Sequence, residues 1–275
     1  MDTRLKEVGA IGKILTAAAL WSTIGLASVY SGNYVVLAFF RSLVASTIAL
    51  FFVKSREKSA IVSGVLLGVL FSVYPLAAAL VGLGPAAYLL YTAPLWTTLV
   101  SSLLGERARR RDLVAVSLIL IAVALMVLGA SLGALNPFGF AAGLASGISY
   151  GSYIAVARFY SKENRDVEVS LGAMPYTLAV TAPAVAIYIT IYGPGDLAKT
   201  AAFGAYLGLF CTLIPYRLFS SGVKAIGAAR ASVLATLEPV LATIWGYLFL
   251  GQTPSLIIAL SYVLITAAAV IASTG

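Results

Sequence analysis

Apolar residues run in long unbroken blocks along this chain, and charges fall almost entirely between the blocks. Cut at charge, glycine or proline, the pattern predicts ten helices, at about 12–29, 34–53, 60–81, 85–104, 113–130, 138–159, 169–191, 200–222, 231–250 and 254–273. Each is close to the roughly 20 residues that a helix needs to cross a bilayer core. A membrane β-barrel would need ten-residue segments of alternating polarity, which these continuous Ala-, Leu-, Gly- and Ile-rich runs are not. The expected fold is an all-α integral membrane protein with ten transmembrane helices and short loops. The opening "MDTRLKEVGA" carries charges of both signs and no small-residue cleavage site follows the first run, so that run reads as a retained helix.

Composition sharpens this picture. The chain is 61% hydrophobic and 10% charged over 275 residues, with a mean hydropathy of +1.00. A water-soluble domain of that length does not have such values. One cysteine, Cys211, excludes an intramolecular disulfide, and the absence of histidine removes the usual transition-metal sites, so no cofactor is expected. The net charge of +8 could suggest nucleic acid, but Lys and Arg sit at the N-terminus and in every second loop, while the opposite loops contain only Lys199. That is the positive-inside bias. It predicts cytoplasmic termini in a cell membrane, with the basic balance facing lipid headgroups and no role for nucleic acid.

The chain also resembles itself. "GVLLGVLFSVYP" (64–75) matches "GAYLGLFCTLIP" (204–215), each with Gly-x3-Gly and a proline seven residues later. "APLWTTLVSSLLGE" (93–106) matches "EPVLATIWGYLFLGQ" (238–252), and "LWSTIG" near Trp21 is a weaker match for "SYGSYI" near Tyr150. An odd-numbered unit of five helices makes the second copy enter the membrane from the opposite side. The expected organisation is two inverted repeats, 1–132 and 133–275, the arrangement that supports alternating access.

"SSGVKAIGAARASVLATLEPVLATIWGYLFLGQTPS" (220–255) together with "YTAPLWTTLVSSLLGER" (91–107) resembles the drug/metabolite transporter superfamily, in its ten-helix EamA-like branch. The resemblance implies a secondary transporter whose central cavity is formed by the third, fourth, eighth and ninth helices and closed by the first and sixth. It implies a small-molecule cargo such as an amino acid, sugar, nucleotide sugar, sugar phosphate or drug. Export or exchange of amino acids or related metabolites is the function expected. A non-transporting membrane scaffold or lipid scramblase is the alternative, and the chain is expected as a monomer or homodimer.

Three charged residues lie well inside the predicted helices: Arg41, Arg217 and Glu238. Each costs about 2.5–3.5 kcal/mol at a helix centre, so such residues usually face a bundle interior or a wet cavity. Glu238 stands beside Pro239, which removes one amide and frees a carbonyl near Leu234 or Ala235. A carboxylate there can bind a cargo ammonium, carry a proton, or pair with Arg217 at comparable depth. Arg217 replaces the uncharged residue usual in the family and either binds anionic cargo or snorkels to headgroups. Arg41 reads as an anchor at the outer rim or a donor to backbone carbonyls.

Trp21, Tyr74, Tyr91, Trp96, Tyr150, Tyr153, Tyr216 and Trp245 fall on the helices that the resemblance assigns to the cavity. Tyr74, Tyr91 and Trp96 rank first because they flank Pro75 and Pro94, which with Pro215 and Pro239 are the expected helix breaks. Gly139, Gly143, Gly147 and Gly151 make a nearly bare face on the sixth helix, for close packing or sliding. There is no Walker loop and, without histidine, no Ser-His-Asp set, so the chain is not expected to be an enzyme.

Overall fold

The computed structural model describes residues 2–81, 83–129, 136–251 and 255–273. The boundary between 132 and 133, together with Gln252 and Pro254, lies outside them. In chain order the helices are α1 (Asp2–Trp21), α2 (Ile24–Ser31), α3 (Tyr34–Phe52), α4 (Lys58–Val81), α5 (Leu83–Leu90), α6 (Ala93–Leu103), α7 (Arg110–Gly129), α8 (Pro137–Lys162), α9 (Met174–Tyr192), α10 (Leu197–Gly208), α11 (Ile214–Ile226), α12 (Ala228–Ala235), α13 (Glu238–Leu250) and α14 (Leu256–Ser273). Two π-helical turns, Glu168–Gly172 and Leu209–Leu213, lead into α9 and α11. No strand occurs among the described residues. Among the described residues, seven stretches, from Leu5–Ser31 to Ala228–Leu250, are long and apolar enough to cross a membrane. The chain is an all-α multi-pass membrane protein.

Three of the runs read as single helices are divided by turns in mid-run, and local chemistry explains each division. After Trp21, the Ser22 hydroxyl donates to the Ala19 carbonyl at 2.6 Å and the Thr23 hydroxyl to Leu20 at 2.8 Å. Hydroxyls thus take acceptors that the next helical turn would have used. At Tyr91–Thr92 the Thr92 hydroxyl bonds the Leu89 carbonyl at 2.7 Å, and Pro94 has no amide to continue the ladder. At Thr236–Leu237 the Thr236 hydroxyl bonds Val233, and Pro239 withholds the amide that Ala235 would have received. Before Pro215 the chain makes the Leu209–Leu213 π-turn. Pro75, by contrast, is absorbed within α4.

Close packing follows the glycines. α4 lies against both α8 and α9, α1 against α11, and α3 against α9 and α10. A Cβ on Gly64 would overlap the Ala173 carbonyl and Tyr176 Cβ of the α9 segment, and one on Gly204 would overlap Phe40 Cβ of α3. On α8, a Cβ at Gly147 would lie 2.5 Å from the Leu89 carbonyl, and one at Gly151 2.5 Å from that of Ala93. The bare face of α8 therefore seats the α5–α6 break. α7 pairs with α14 beside this core.

Contacts between loops define two ends. At one, Asn33 donates to the Pro194 carbonyl at 3.5 Å. At the other, where most of the basic residues gather, Arg165 meets Glu57 at 2.7 Å. Arg158 and Lys162 of α8 meet Glu106 after α6 at 3.0 and 2.6 Å. Glu106 also accepts the Ala228 amide at the start of α12. Arg158 reaches the carbonyls of Val223 and Lys224, closing the lattice across α6, α8, α11 and α12.

Burial by itself would raise the Glu106 carboxyl, but the hydrogen bond from Lys162, the charge and hydrogen bond of Arg158 and the Ala228 amide outweigh it and hold it below the ordinary carboxylate value. A depressed folded-state value gives stability that is present above the unfolded pKa of about 4.3 and is lost as pH falls through the lower folded value. Thermal unfolding of the detergent-solubilised chain is therefore expected to fall off in acid below about pH 4. Glu106→Gln should flatten that acid limb and lower stability at neutral pH by about 1–3 kcal/mol, because Arg158 loses its acidic partner. An unchanged acid limb in the variant would refute the assignment.

Candidate functional site

A cavity of about 380 Å³ lies within the helix bundle. Its wall draws on Trp21 of α1, Arg41 of α3, Phe71 and Tyr74 of α4, Tyr91 after α5, Tyr150 of α8, Tyr216 of α11 and Glu238 of α13. It extends to Tyr34 and Leu250, at the sparsely charged end. The three helix divisions border it through Ser22, Tyr91 and Glu238. Dividing a helix exposes termini and turns the flanking side chains inward, which is how discontinuous membrane helices build binding sites.

The base of the cavity is aromatic. The Trp21 ring lies 5.1 Å from Tyr216, tilted, and 6.0 Å from Tyr150, edge on. Phe71 stands 6.0 Å from Tyr216, and Tyr153 supports Tyr216 from behind at 5.4 Å. The Trp21 Nε1 and Tyr150 hydroxyl are buried without a hydrogen-bond partner among the described residues. Trp245 Nε1 donates to Ser22 Oγ at 2.9 Å and ties α13 to the α1–α2 turn.

Two opposite charges face this aromatic base. Arg41 is 8% exposed, yet it lines the cavity. Its Nε donates to Thr212 Oγ1 at 2.6 Å and its Nη2 to the Cys211 carbonyl at 3.0 Å, both in the π-turn. Its guanidinium carbon sits 4.0 Å from the Phe71 ring centroid. Aromatic and backbone partners thus hold the cation without cancelling its charge. Cys211 itself is fully buried, its thiol against the Leu20 carbonyl at 3.3 Å.

Glu238 is the first residue of α13, where the helix dipole favours an acid. Among the described residues it makes no hydrogen bond and no ion pair, and Arg41 is the cation whose charge acts on it. A half-buried, unpaired carboxylate and a partly committed guanidinium share one aromatic space. That combination suits a small amphipathic molecule carrying both charges.

Of the sequence candidates, the cavity gathers Glu238, Trp21, Tyr74, Tyr91 and Tyr150, with Pro75 and Pro239. Arg217, Trp96 and Tyr153 stand outside it. Arg217 does not pair with Glu238: it bonds Asp166 at 2.6 Å, in the basic-end lattice, because the segment after α8 brings an acid to it. Trp96 donates to Thr92 Oγ1 at 3.1 Å and packs on Gly151. Tyr153 is fully buried, and its hydroxyl bonds the Val169 carbonyl at 3.3 Å. Pro94 and Pro215 shape the chain from outside the lining. Of the two roles read for Arg41 in the sequence, outer-rim anchor or donor to backbone carbonyls, the structure shows the second, to Cys211, and it also brings the side chain to the cavity wall. Phe71, Tyr34 and Tyr262 line the cavity too and were not among the sequence candidates.

A model of the EamA-like transporter family matches residues 137–274, half of the chain. The chain belongs to that family. An uncharacterized transporter of Archaeoglobus fulgidus is 34% identical over 171 residues, 62% of this chain and 60% of that protein. The uncharacterized transporter YdfC of Bacillus subtilis is 26% identical over 184 residues, 64% of this chain and 58% of that protein. The matched part of this EamA-like chain thus spans about three-fifths of those relatives. A solved crystal structure superposes with a TM-score of 0.75 at 24% identity, covering 96% of both chains, and so shares the fold.

Proposed function

We propose that this EamA-like protein is a secondary transporter that moves amino acids or related small metabolites across the cell membrane by alternating access. Export or exchange is the direction of use, and both termini are cytoplasmic. The observation that carries the reading is the cavity itself: Arg41 and Glu238 face one aromatic space at mid-bundle, reached toward the sparsely charged end. Its volume of about 380 Å³ is within the range of small-molecule sites, about 300–1,000 Å³. The Glu106 and Asp166 ion pairs close the opposite end.

Two inverted halves, 1–132 and 133–275, supply the motion in this proposal. Several correspondences support them. The divisions at Tyr91–Thr92 and Thr236–Leu237 each precede a helix with proline at its second position. The Gly64/Gly68 face meets α9, as the Gly204/Gly208 face meets α3. The pairing of α4 with α8 has its counterpart in α11 with α1. Halves that swap these contacts would open the basic end as the other closes.

Purified protein in liposomes is expected to move labelled amino acids faster than empty vesicles, and to be raised in thermal stability by the same compounds. Flux equal to empty vesicles across a broad panel, with lipid flip-flop instead accelerated, would replace this reading with a scramblase.

A further inference from the structure

A second pocket, separate from the central cavity, lies at the basic end, with a volume of about 220 Å³. It is bounded by the ends of α6 and α8 and the starts of α7 and α12. Five cationic side chains line it, Arg107, Arg109, Arg158, Lys162 and Arg230, against two acids. Both acids are already engaged. Glu106 is held by Arg158, Lys162 and the Ala228 amide. Asp112 accepts the Arg109 amide at 2.9 Å.

Two further features face the same space. Arg230 lines it at 4% exposure. Ser101 lines it at 4% exposure too, and its hydroxyl is buried without a hydrogen-bond partner among the described residues. Arg107 and Arg109 form no side-chain ion pair with the described residues. A buried hydroxyl without a partner is costly, by about 1–3 kcal/mol, unless something else satisfies it.

We propose that this pocket binds a phosphate group. Glu106 indicates the chemistry: an anion already bridges Arg158, Lys162 and the first amide of α12, as anions do at helix starts. Arg107 and Arg109 from the connection between α6 and α7, and Arg230 from α12, border the same space, which has room for about seven waters at about 30 Å³ each. A tetrahedral anion with several acceptor oxygens matches donors arriving from several directions, and arginine forks suit it. The group comes either from an anionic lipid headgroup or from a soluble phosphate.

The test uses the full chain in nanodiscs of phosphatidylcholine, with thermal unfolding as readout. Inorganic phosphate, titrated at constant ionic strength against chloride, is expected to raise the unfolding temperature to a plateau. If the source is lipid, phosphatidylglycerol nanodiscs produce the shift and added phosphate does not extend it. Ser101→Ala leaves all charges in place, so non-specific attraction is unchanged. It should weaken half-saturation by phosphate about tenfold or more, or remove most of the phosphatidylglycerol shift. The same variant without ligand should be as stable as the parent or more so, because the orphan hydroxyl is gone.

Arg107→Gln with Arg109→Gln, both at exposed positions, is the second variant and should weaken phosphate binding further. For phosphatidylglycerol, Ser101→Ala alone decides, since loss of surface charge also weakens non-specific attraction. No shift beyond chloride with either probe overturns the proposal. So does a phosphate shift that is the same in both variants, or a phosphatidylglycerol shift untouched by Ser101→Ala.

Discussion

Glu238→Gln is expected to reduce uptake of the transported solute by about tenfold or more while leaving the protein folded. The substitution keeps shape and hydrogen-bonding atoms and removes only the charge. A hydrogen bond to a charged group contributes about 1.5–3 kcal/mol, which is roughly a 10- to 150-fold change in affinity. The same variant should flatten the dependence of uptake on pH, because no other carboxylate among the described residues lines the central cavity. Stability moves the other way. Glu238 makes no ion pair among the described residues, and a charge within a membrane span costs about 2.5–3.5 kcal/mol, so neutralising it should hold or raise the unfolding temperature. These two readouts separate a functional acid from a structural one. Full uptake with the parent's pH profile would remove Glu238 from both cargo binding and proton coupling, and a collapse of stability would make it a packing residue.

The second large effect is expected at Gly64 and Gly204. In an open helix, replacing glycine by alanine is worth up to about 1 kcal/mol in favour of the variant. At Gly64 the added methyl would overlap the Ala173 carbonyl and Tyr176 Cβ, and at Gly204 it would overlap Phe40 Cβ with Phe40 backbone close behind. None of these atoms can rotate away. Overpacking of this kind costs about 1–3 kcal/mol, so the clash outweighs the propensity gain and both variants should unfold at lower temperature. Gly12→Ala is the control, since nothing lies within 4 Å of its Cβ, and it should be neutral or stabilising. If the two five-helix halves are related by a twofold, Gly64→Ala and Gly204→Ala should lower uptake to similar extents. A severe effect at one and none at the other would count against that relation.

The apolar blocks made the helices legible because burial in lipid demands long uninterrupted runs, and the described residues of the predicted runs are mostly helical, with turns at 22–23, 91–92 and 236–237. Glu238 stood out for the same reason: nothing else in its run is charged. The helix divisions were harder to read. Pro75 and Pro94 look alike in sequence, yet α4 absorbs the first while the chain turns before the second. The difference lies in neighbours: Thr92 has a hydroxyl placed to take a carbonyl, and Gly147 and Gly151 give the turn a seat. For Arg217 the sequence left pairing with Glu238, cargo binding and snorkelling open, because depth along a helix says nothing about azimuth. Asp166, its partner, sits in a connection whose path only tertiary structure reveals. The lattice around Glu106 was hidden similarly, since acids scattered among basic loops show no period.

The engagement of Cys211 by the Leu20 carbonyl, with its sulfur fully enclosed, has a practical corollary. It is the sole cysteine in 275 residues. Maleimides and nitroxide reagents attack accessible thiolates, so this chain is expected to be silent to them. Spectroscopic labels can be installed at chosen pairs of sites, one near Tyr34 and one near Arg165 for example, without first engineering away a background. Distances across either mouth could then be followed in the otherwise unaltered protein.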